Sequence, residues 1–317
     1  MNVRPYTPAD AECWDSFCAE ALGATFLHTR RFLSYHGDRF TDRSLIVEEG
    51  ARWLGVLPAA QSPSRPELVV SHPGITYGGV LHDGALRGEG VLEALQAART
   101  HYAAAGYQSL LYKPVPHIYH RAPAQDDLYA LFRLDAKRVR CDLSSCIDLA
   151  HPLPVSERRR RALKKAQRAG LTLQTGSHLA DDLWQVLEAN LAERHGQKPV
   201  HTSAEIQLLL ERFPQAISIT VAHLEKQAIA GTVLFIAGGV CHTQYIASNA
   251  LGHETGALDL VFDRQITEAR DMKAQFFDFG ISNEDGGRSL NEGLHRFKSE
   301  FGAGGVVHEF YEIDLNR

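Results

Sequence analysis

Nowhere does this 317-residue sequence carry an apolar run near the ~20 residues that span a bilayer, so no membrane-spanning helix is expected. The opening MNVRPYTPAD lacks the apolar stretch of a secretory leader. Cysteine is scarce. There are five, an odd number without paired CxxC spacing. This excludes a regular disulfide framework and points to buried, reduced thiols in the cytoplasm. Cys13 and Cys18 fall on one expected helix; Cys141, Cys146 and Cys241 fall in strand-like stretches. Surplus positive charge is missing too: net charge is -5 and pI about 6.3, which argues against DNA held by bulk charge. The sixteen histidines are scattered without ligand spacing to cysteine or carboxylates, so no metal site is expected. There is no P-loop, dinucleotide fingerprint or G-x-S-x-G elbow.

What is present suits a globular α/β protein. Hydrophobic residues make up 44% and charged residues 22% of the chain, enough for real cores, and the length favours two domains over one. Helical spacing is plain at Leu179, Leu183, Val186, Leu187 and Leu191, and Thr202-Ser-Ala-Glu205 is a capping box for the next helix. The first half reads as helices 8–22 and 29–40, strands 43–49, 52–60 and 67–71, helix 88–105, strand 108–113, helix 125–133 and strand 138–149. Past the linker HPLPVS come helix 156–169, strand 171–175, helices 179–194 and 203–212, and strands 217–224, 228–237 and 240–248. Helix 256–272, strand 275–281, helix 289–300 and strand 305–314 follow. The order is written twice. Leu27-His28-Thr29 corresponds to Val200-His201-Thr202, and GYQSLLYKP to KAQFFDFGI, which marks a duplicated domain.

Two helices, a β-meander, a helix, a strand, a helix and a closing strand is the order of the GNAT acyltransferase fold, which each half resembles. The second half also resembles that family's last motif. Asn291, Leu294, Lys298 and Gly302 keep the N-x-x-A-x-x-x-Y-x-x-x-G spacing, with leucine for alanine and Lys298 where the family has its tyrosine general acid. RRRRALKKAQRAG, FDFGIS and FKSEFGA resemble the tandem-GNAT proteins of the Fem type, aminoacyl-tRNA-dependent peptidoglycan transferases. SHPGITYGG and RHGQKPVHT resemble tandem-GNAT N-acyltransferases of nucleotide-linked deoxysugars. The resemblance implies an α/β protein of two tandem GNAT-like domains, each a mixed, mainly antiparallel sheet flanked by helices. Residues 1–150 would form the acceptor wall and 151–317 bind the acyl donor. It implies acyl-CoA as co-substrate, no permanently bound cofactor, and direct attack by the amine of a nucleotide-linked amino sugar. The alternatives are Fem-type transfer, with tRNA as partner, and a non-catalytic tandem module binding a nucleotide sugar or a protein.

Site residues follow from that resemblance. The donor pyrophosphate would meet the helix start in SNALGHETGALDL, at Gly252, Thr255, Gly256, Ala257 and Leu258; a plain loop is the other reading. In the first half the Gly-rich stretch from Ser71 would wrap the acceptor, with His72, Tyr77, Tyr112, Lys113 and His117 facing an interdomain cleft, or it simply makes two turns. Ser282 and Asp278 would lie near the splay of the strands that receive the thioester. Lys298 would return to it from a helix whose apolar stripe is Leu290, Leu294, Phe297 and Phe301. Lys298 could stabilise the oxyanion or protonate the thiolate; a structural Asp278–Lys298 pair is the alternative. His195 and His201 could accept the proton of an attacking amine or simply make hydrogen bonds. Seven basic residues between Arg158 and Arg168 could bind phosphate or form a solvated face.

Overall fold

The computed structural model describes residues 1–195 and 199–316, with the side chains of 193–195 outside that description. The chain divides into two compact units. The first is Met1–Asp142 with Asn283–Ser289 and Val307–Arg317; the second is Leu143–Ser282 with Leu290–Val306.

The first unit comprises β1 (Asn2–Pro5), α1 (Ala11–Glu20), α2 (Arg30–Leu33), β2 (Leu45–Glu49), β3 (Arg52–Leu57), β4 (Ala60–Gln61), β5 (Leu68–Val70), β6 (Leu81–His82), α3 (Glu89–Ala104), β7 (Ser109–Tyr112), α4 (Asp126–Arg133) and the start of β8 (Lys137–Asp148). Strands β1, β2, β3 and β6 form an antiparallel sheet. In a second group β4 pairs antiparallel with β5, and β5 runs parallel to β7. The expected strand 52–60 is broken at Pro58, which has no N–H to give a ladder. The short strands β1 and β6 were not expected, because neither is long enough to show a two-residue alternation.

The second unit holds α5 (Glu157–Arg168), β9 (Leu171–Thr175), α6 (Ala180–His195), α7 (Ser203–Arg212), β10 (Ile217–Leu224), β11 (Gln227–Ala237), β12 (Val240–Ser248), α8 (Ala250–Thr255), α9 (Ala257–Asp271) and β13 (Phe276–Ile281). The short strands β14 (Asn283–Glu284) and β15 (Ser289–Leu290), then α10 (Glu292–Ser299) and β16 (Gly304–Asp314), complete the chain; the end of β16 pairs antiparallel with β7. Strands β9 to β12 form an antiparallel run, β13 lies parallel to β12, and the end of β8 pairs antiparallel with β13. Each unit is therefore mixed and mainly antiparallel, with helices on its faces. Among the described residues no helix is long and apolar enough to cross a membrane, and no group of three or more His, Cys, Asp or Glu is arranged to hold a metal.

The duplication reaches atomic detail. The Trp14 indole donates to the His28 carbonyl at 2.9 Å, and the Trp184 indole to the His201 carbonyl at 3.0 Å. In both units the next residue, Thr29 or Thr202, caps the following helix by accepting from a backbone N–H three positions on. All five cysteines are free. Cys18, Cys146 and Cys241 are buried, but Cys13 is exposed on α1, against the expectation of burial.

The phenylalanines of β13 explain its place. Phe277 and Phe279 point to one face and join Phe262 of α9 and Phe301, with ring centroids 4.9 to 5.3 Å apart for Phe262–Phe279, Phe262–Phe301 and Phe279–Phe301. Asp278, by strand alternation, points to the other face. Trp184→Phe keeps an aromatic ring but leaves the buried His201 carbonyl without this donor. It should lower the stability of the second unit by ~1–3 kcal/mol, read as a shifted midpoint in denaturant melts.

Candidate active site

Strands β12 and β13 pair at only three positions, Val240–Phe276, Cys241–Phe277 and His242–Asp278. Beyond His242 they share no further ladder, although β12 continues to Ser248. Just past the last pair β13 breaks register with β8, between Asp278 and Ile281. Gly280 sits there with φ +74°, a left-handed conformation that favours glycine.

The last pair is chemical as well as geometric. Asp278 is fully buried. One carboxylate oxygen accepts from His242 Nδ1 at 2.8 Å; the other accepts from Ser144 Oγ on β8 and from the Gly280 N–H at 3.2 Å. Lys298, buried on α10, donates from Nζ to the Gly280 carbonyl at 3.0 Å and the Ile281 carbonyl at 2.6 Å. Burial pushes its ammonium down to about 8, while the field of Asp278 opposes that shift. Lys298 therefore holds main-chain oxygens, and Asp278 is bonded by His242 and Ser144 instead of by Lys298. The stripe expected on the last helix is also revised. Phe297 and Phe301 face the core, but Leu290 lies in β15 ahead of the helix and Leu294 is exposed. The buried end of that surface is taken by Lys298 itself.

Around the start of α9 the expected donor cradle is only partly open. Asn249 caps α8, taking the Gly252 amide at 2.9 Å, and the Gly256 amide bonds to the Gly252 carbonyl at 3.1 Å. Thr255 turns its hydroxyl back to the Leu251 carbonyl. Ala257 and Leu258 are buried in the core. Gly252 is required by packing, since a Cβ there would lie 2.4 Å from the Ile229 carbonyl. Beside these residues is a cavity of about 430 Å³ whose lining includes Arg158, Lys165, Gly252, His253 and Gly256. The basic run on α5 thus splits in two. Arg158 and Lys165 rim this cavity. Arg159 is buried, chelating Asp259 of α9 at 2.9 and 3.0 Å, touching Glu300 at 3.3 Å, and lying over the Phe297 ring. Burial still pushes the Asp259 carboxyl up to about 6.

The histidine and acceptor expectations separate likewise. His201 is buried with its Nδ1 and Tyr245 hydroxyl 2.5 Å apart, and that hydroxyl also accepts the His201 N–H. His195 closes α6, and its side chain lies outside the described residues. Ser282 is buried, its N–H bonded to the Leu143 carbonyl and its carbonyl accepting from Asn291, while its hydroxyl has no hydrogen-bond partner among the described residues. In the first unit His72 is buried with φ +61°, its ring 5.3 Å from those of His36 and Phe40. Burial, with His36 beside it, holds its pKa well below the ordinary value. It lines a cavity of about 500 Å³ with Arg30, Arg31, His36 and Phe40. Tyr112 is fully buried, its hydroxyl accepting from the Val80 N–H and donating to Asp127. Tyr77 stacks near Tyr119, and Lys113 is buried against the Ile75 carbonyl, pushed down to about 7. His117 is exposed. Of these five first-unit residues only His72 borders that cavity. The rest of the group is dispersed through the core and surface: Tyr112 is buried at the end of β7, Lys113 is buried just after it, and His117 is exposed.

Residues 155–298 match the family described as Acetyltransferase (GNAT) domain. The fold is that of tandem GNAT proteins. FemX has a TM-score of 0.70 at 13% identity, covering 100% of this chain and 98% of FemX. L-PGS from Bacillus licheniformis gives 0.62 at 14%, covering 98% and 92%. A tandem GNAT protein from the clavulanic acid biosynthesis pathway gives 0.57 at 14%, covering 99% and 98%. No curated protein matches the sequence. Within the GNAT domain, sequence reasoning missed His242 and Tyr245. The usable signal for His242 was a histidine in the strand that neighbours Asp278, but the register that joins them is not written in either segment.

Arg159→Leu leaves Asp259 buried beside one fewer cation, which should cost ~3–5 kcal/mol near neutral pH. Asp259 already titrates above its ordinary value, so the folded state favours its proton and loses stability from this group as pH rises through about 6. The destabilisation by Arg159→Leu should accordingly be smaller at about pH 5 than at about pH 8, measured by chemical denaturation at both.

Proposed function

We propose that the GNAT domain of this protein transfers an acyl group from acyl-CoA to an amine, by direct attack and without a covalent acyl-enzyme. The end of the β12–β13 ladder at His242 and Asp278 carries the reading, because a thioester lying between the two parallel strands past that pair would sit beside a buried ammonium. A thioester carbonyl bound there would develop negative charge on attack, and Lys298 is the cation positioned to meet it or to protonate the leaving thiolate. Arg158 and Lys165 at the neighbouring cavity suit the phosphates of the donor. The acceptor we assign is a nucleotide-linked amino sugar. No cysteine is needed as nucleophile: burial raises the thiols of Cys146 and Cys241, which disfavours thiolate.

A second reading is Fem-type aminoacyl transfer. It is favoured by the similarity to FemX over the full length of the chain. The donor would then be an ester on tRNA in place of a thioester, and the leaving group an alkoxide. Incubation with acetyl-CoA, longer acyl-CoAs and a panel of nucleotide-linked amino sugars, read by mass spectrometry, decides between them. A mass increase of one acyl group on a sugar is expected. No transfer from any acyl-CoA, with transfer from an aminoacyl-tRNA, would establish the second reading.

Two variants refine the assignment. Lys298→Met should lower kcat on the order of a hundredfold or more with little change in donor binding. In the wild type, kcat should fall as pH rises through about 8, where the Lys298 ammonium is lost. A Lys298→Met enzyme with normal turnover would remove the lysine from the mechanism. Lys165→Glu should weaken coenzyme A binding in calorimetry while leaving the melting temperature near that of wild type, since Lys165 lies on the exposed side of α5.

A further inference from the structure

The pairing of His242 with Asp278 has the form of an oriented base. A carboxylate bonded to Nδ1 fixes the imidazole as the Nδ1–H tautomer and leaves Nε2 as a lone-pair acceptor. Among the described residues Nε2 has no hydrogen-bond partner, and the His242 side chain is 14% exposed, so this acceptor is not sealed in the core. Its place follows from register: it is the last β12 residue paired with β13, at the point where the strands part. Gly280 then joins the two chemical groups. The His242 Cε1 edge lies 3.4 Å from where a Cβ on Gly280 would stand, and Lys298 donates to the Gly280 carbonyl. Ser144 completes the support by donating to the Asp278 oxygen that His242 does not use. Asp278 on β13 is the charged group bonded to the imidazole; register sets Phe235 of β11 opposite His242 and Cys146 of β8 opposite Asp278, while Lys298 on α10 donates to the Gly280 carbonyl.

We propose that His242 is the general base of the transfer, with Asp278 and Ser144 as its positioning residues. The inference rests on the acyl-transfer reading above. In the step, the amine nitrogen forms the new C–N bond to the acyl carbon and its proton passes to His242 Nε2. Collapse of the tetrahedral intermediate breaks the C–S bond, and the thiolate takes a proton from the Lys298 ammonium. Solvent then carries the proton from His242 back to Lys298, so the cycle closes without any further reactant.

The test runs on the full-length enzyme with acetyl-CoA and the amine found active in the substrate panel. The wild type should show an acidic limb in its pH–rate profile. His242→Gln should abolish that limb and lower kcat ~10²–10⁴-fold with donor KM nearly unchanged. His242→Ala should recover turnover when imidazole is added, a rescue that a packing role would not give. Asp278→Asn exchanges the acceptor at Nδ1 for a carboxamide. Nitrogen-15 NMR of labelled histidine should show the His242 signal as Nδ1–H in the wild type and altered in this variant. A His242→Gln enzyme that keeps its kcat and acidic limb overturns the assignment, as does an Nε2–H tautomer in the wild type. Failure of the acyl-transfer reading is visible separately, as a wild type that transfers nothing before any variant is made.

Discussion

A carboxylate without solvent is the constraint around which the second unit is organised. Removing Asp278 from water costs several kcal/mol unless its oxygens are fully supplied with donors. The donors come from three strands: Ser144 of β8, His242 of β12, and the Gly280 amide of β13 itself. Their convergence fixes the register of a central strand on both sides. A one-residue slip of β13 would turn Phe277 and Phe279 toward the polar face and drive Asp278 into the aromatic cluster. The end of the β12–β13 ladder is therefore defined by the same contacts that solve the burial problem.

The two units share a local device and diverge in what surrounds it. A tryptophan on α1 or α6 holds a histidine carbonyl, and the threonine after that histidine caps the next helix. In the first unit the histidine ring is turned inward, accepting from the Thr25 N–H and reaching the Tyr77 carbonyl; burial pushes it down to about 4. In the second unit the ring meets a tyrosine hydroxyl. The main-chain role is common to both, whereas the ring environments differ, which places the repeated dipeptide among the fold-determining residues.

Periodicity and capping made most of the architecture legible. The capping box at Thr202, the alternation in β10 to β12 and the helical stripes each state their local structure in their own residues. Residues that depend on distant partners were not legible. The run at Arg158 to Arg161 reads as one basic surface, yet Arg159 is buried because Asp259 and Glu300 come to it from elements a hundred residues away. His242 reads as an ordinary strand residue until the parallel register sets Asp278 beside it. Leu294 reads as a core position by spacing, but α10 is short and turns that side outward, giving the interior to Lys298. Lys298 itself was accessible only through a motif with its tyrosine replaced.

Arg159 also bears on how the cavity beside α5 meets a ligand. One guanidinium joins the first turn of α9 to the end of α10, with its flat face on Phe297. Helix α5 cannot shift without leaving the buried Asp259 without its Arg159 partner, so the backbone that carries Arg158 and Lys165 is held in place by folding. The entropy of ordering that rim is spent during folding, not at the moment of encounter. A charged ligand reaching this rim would meet cations whose main-chain spacing is already set.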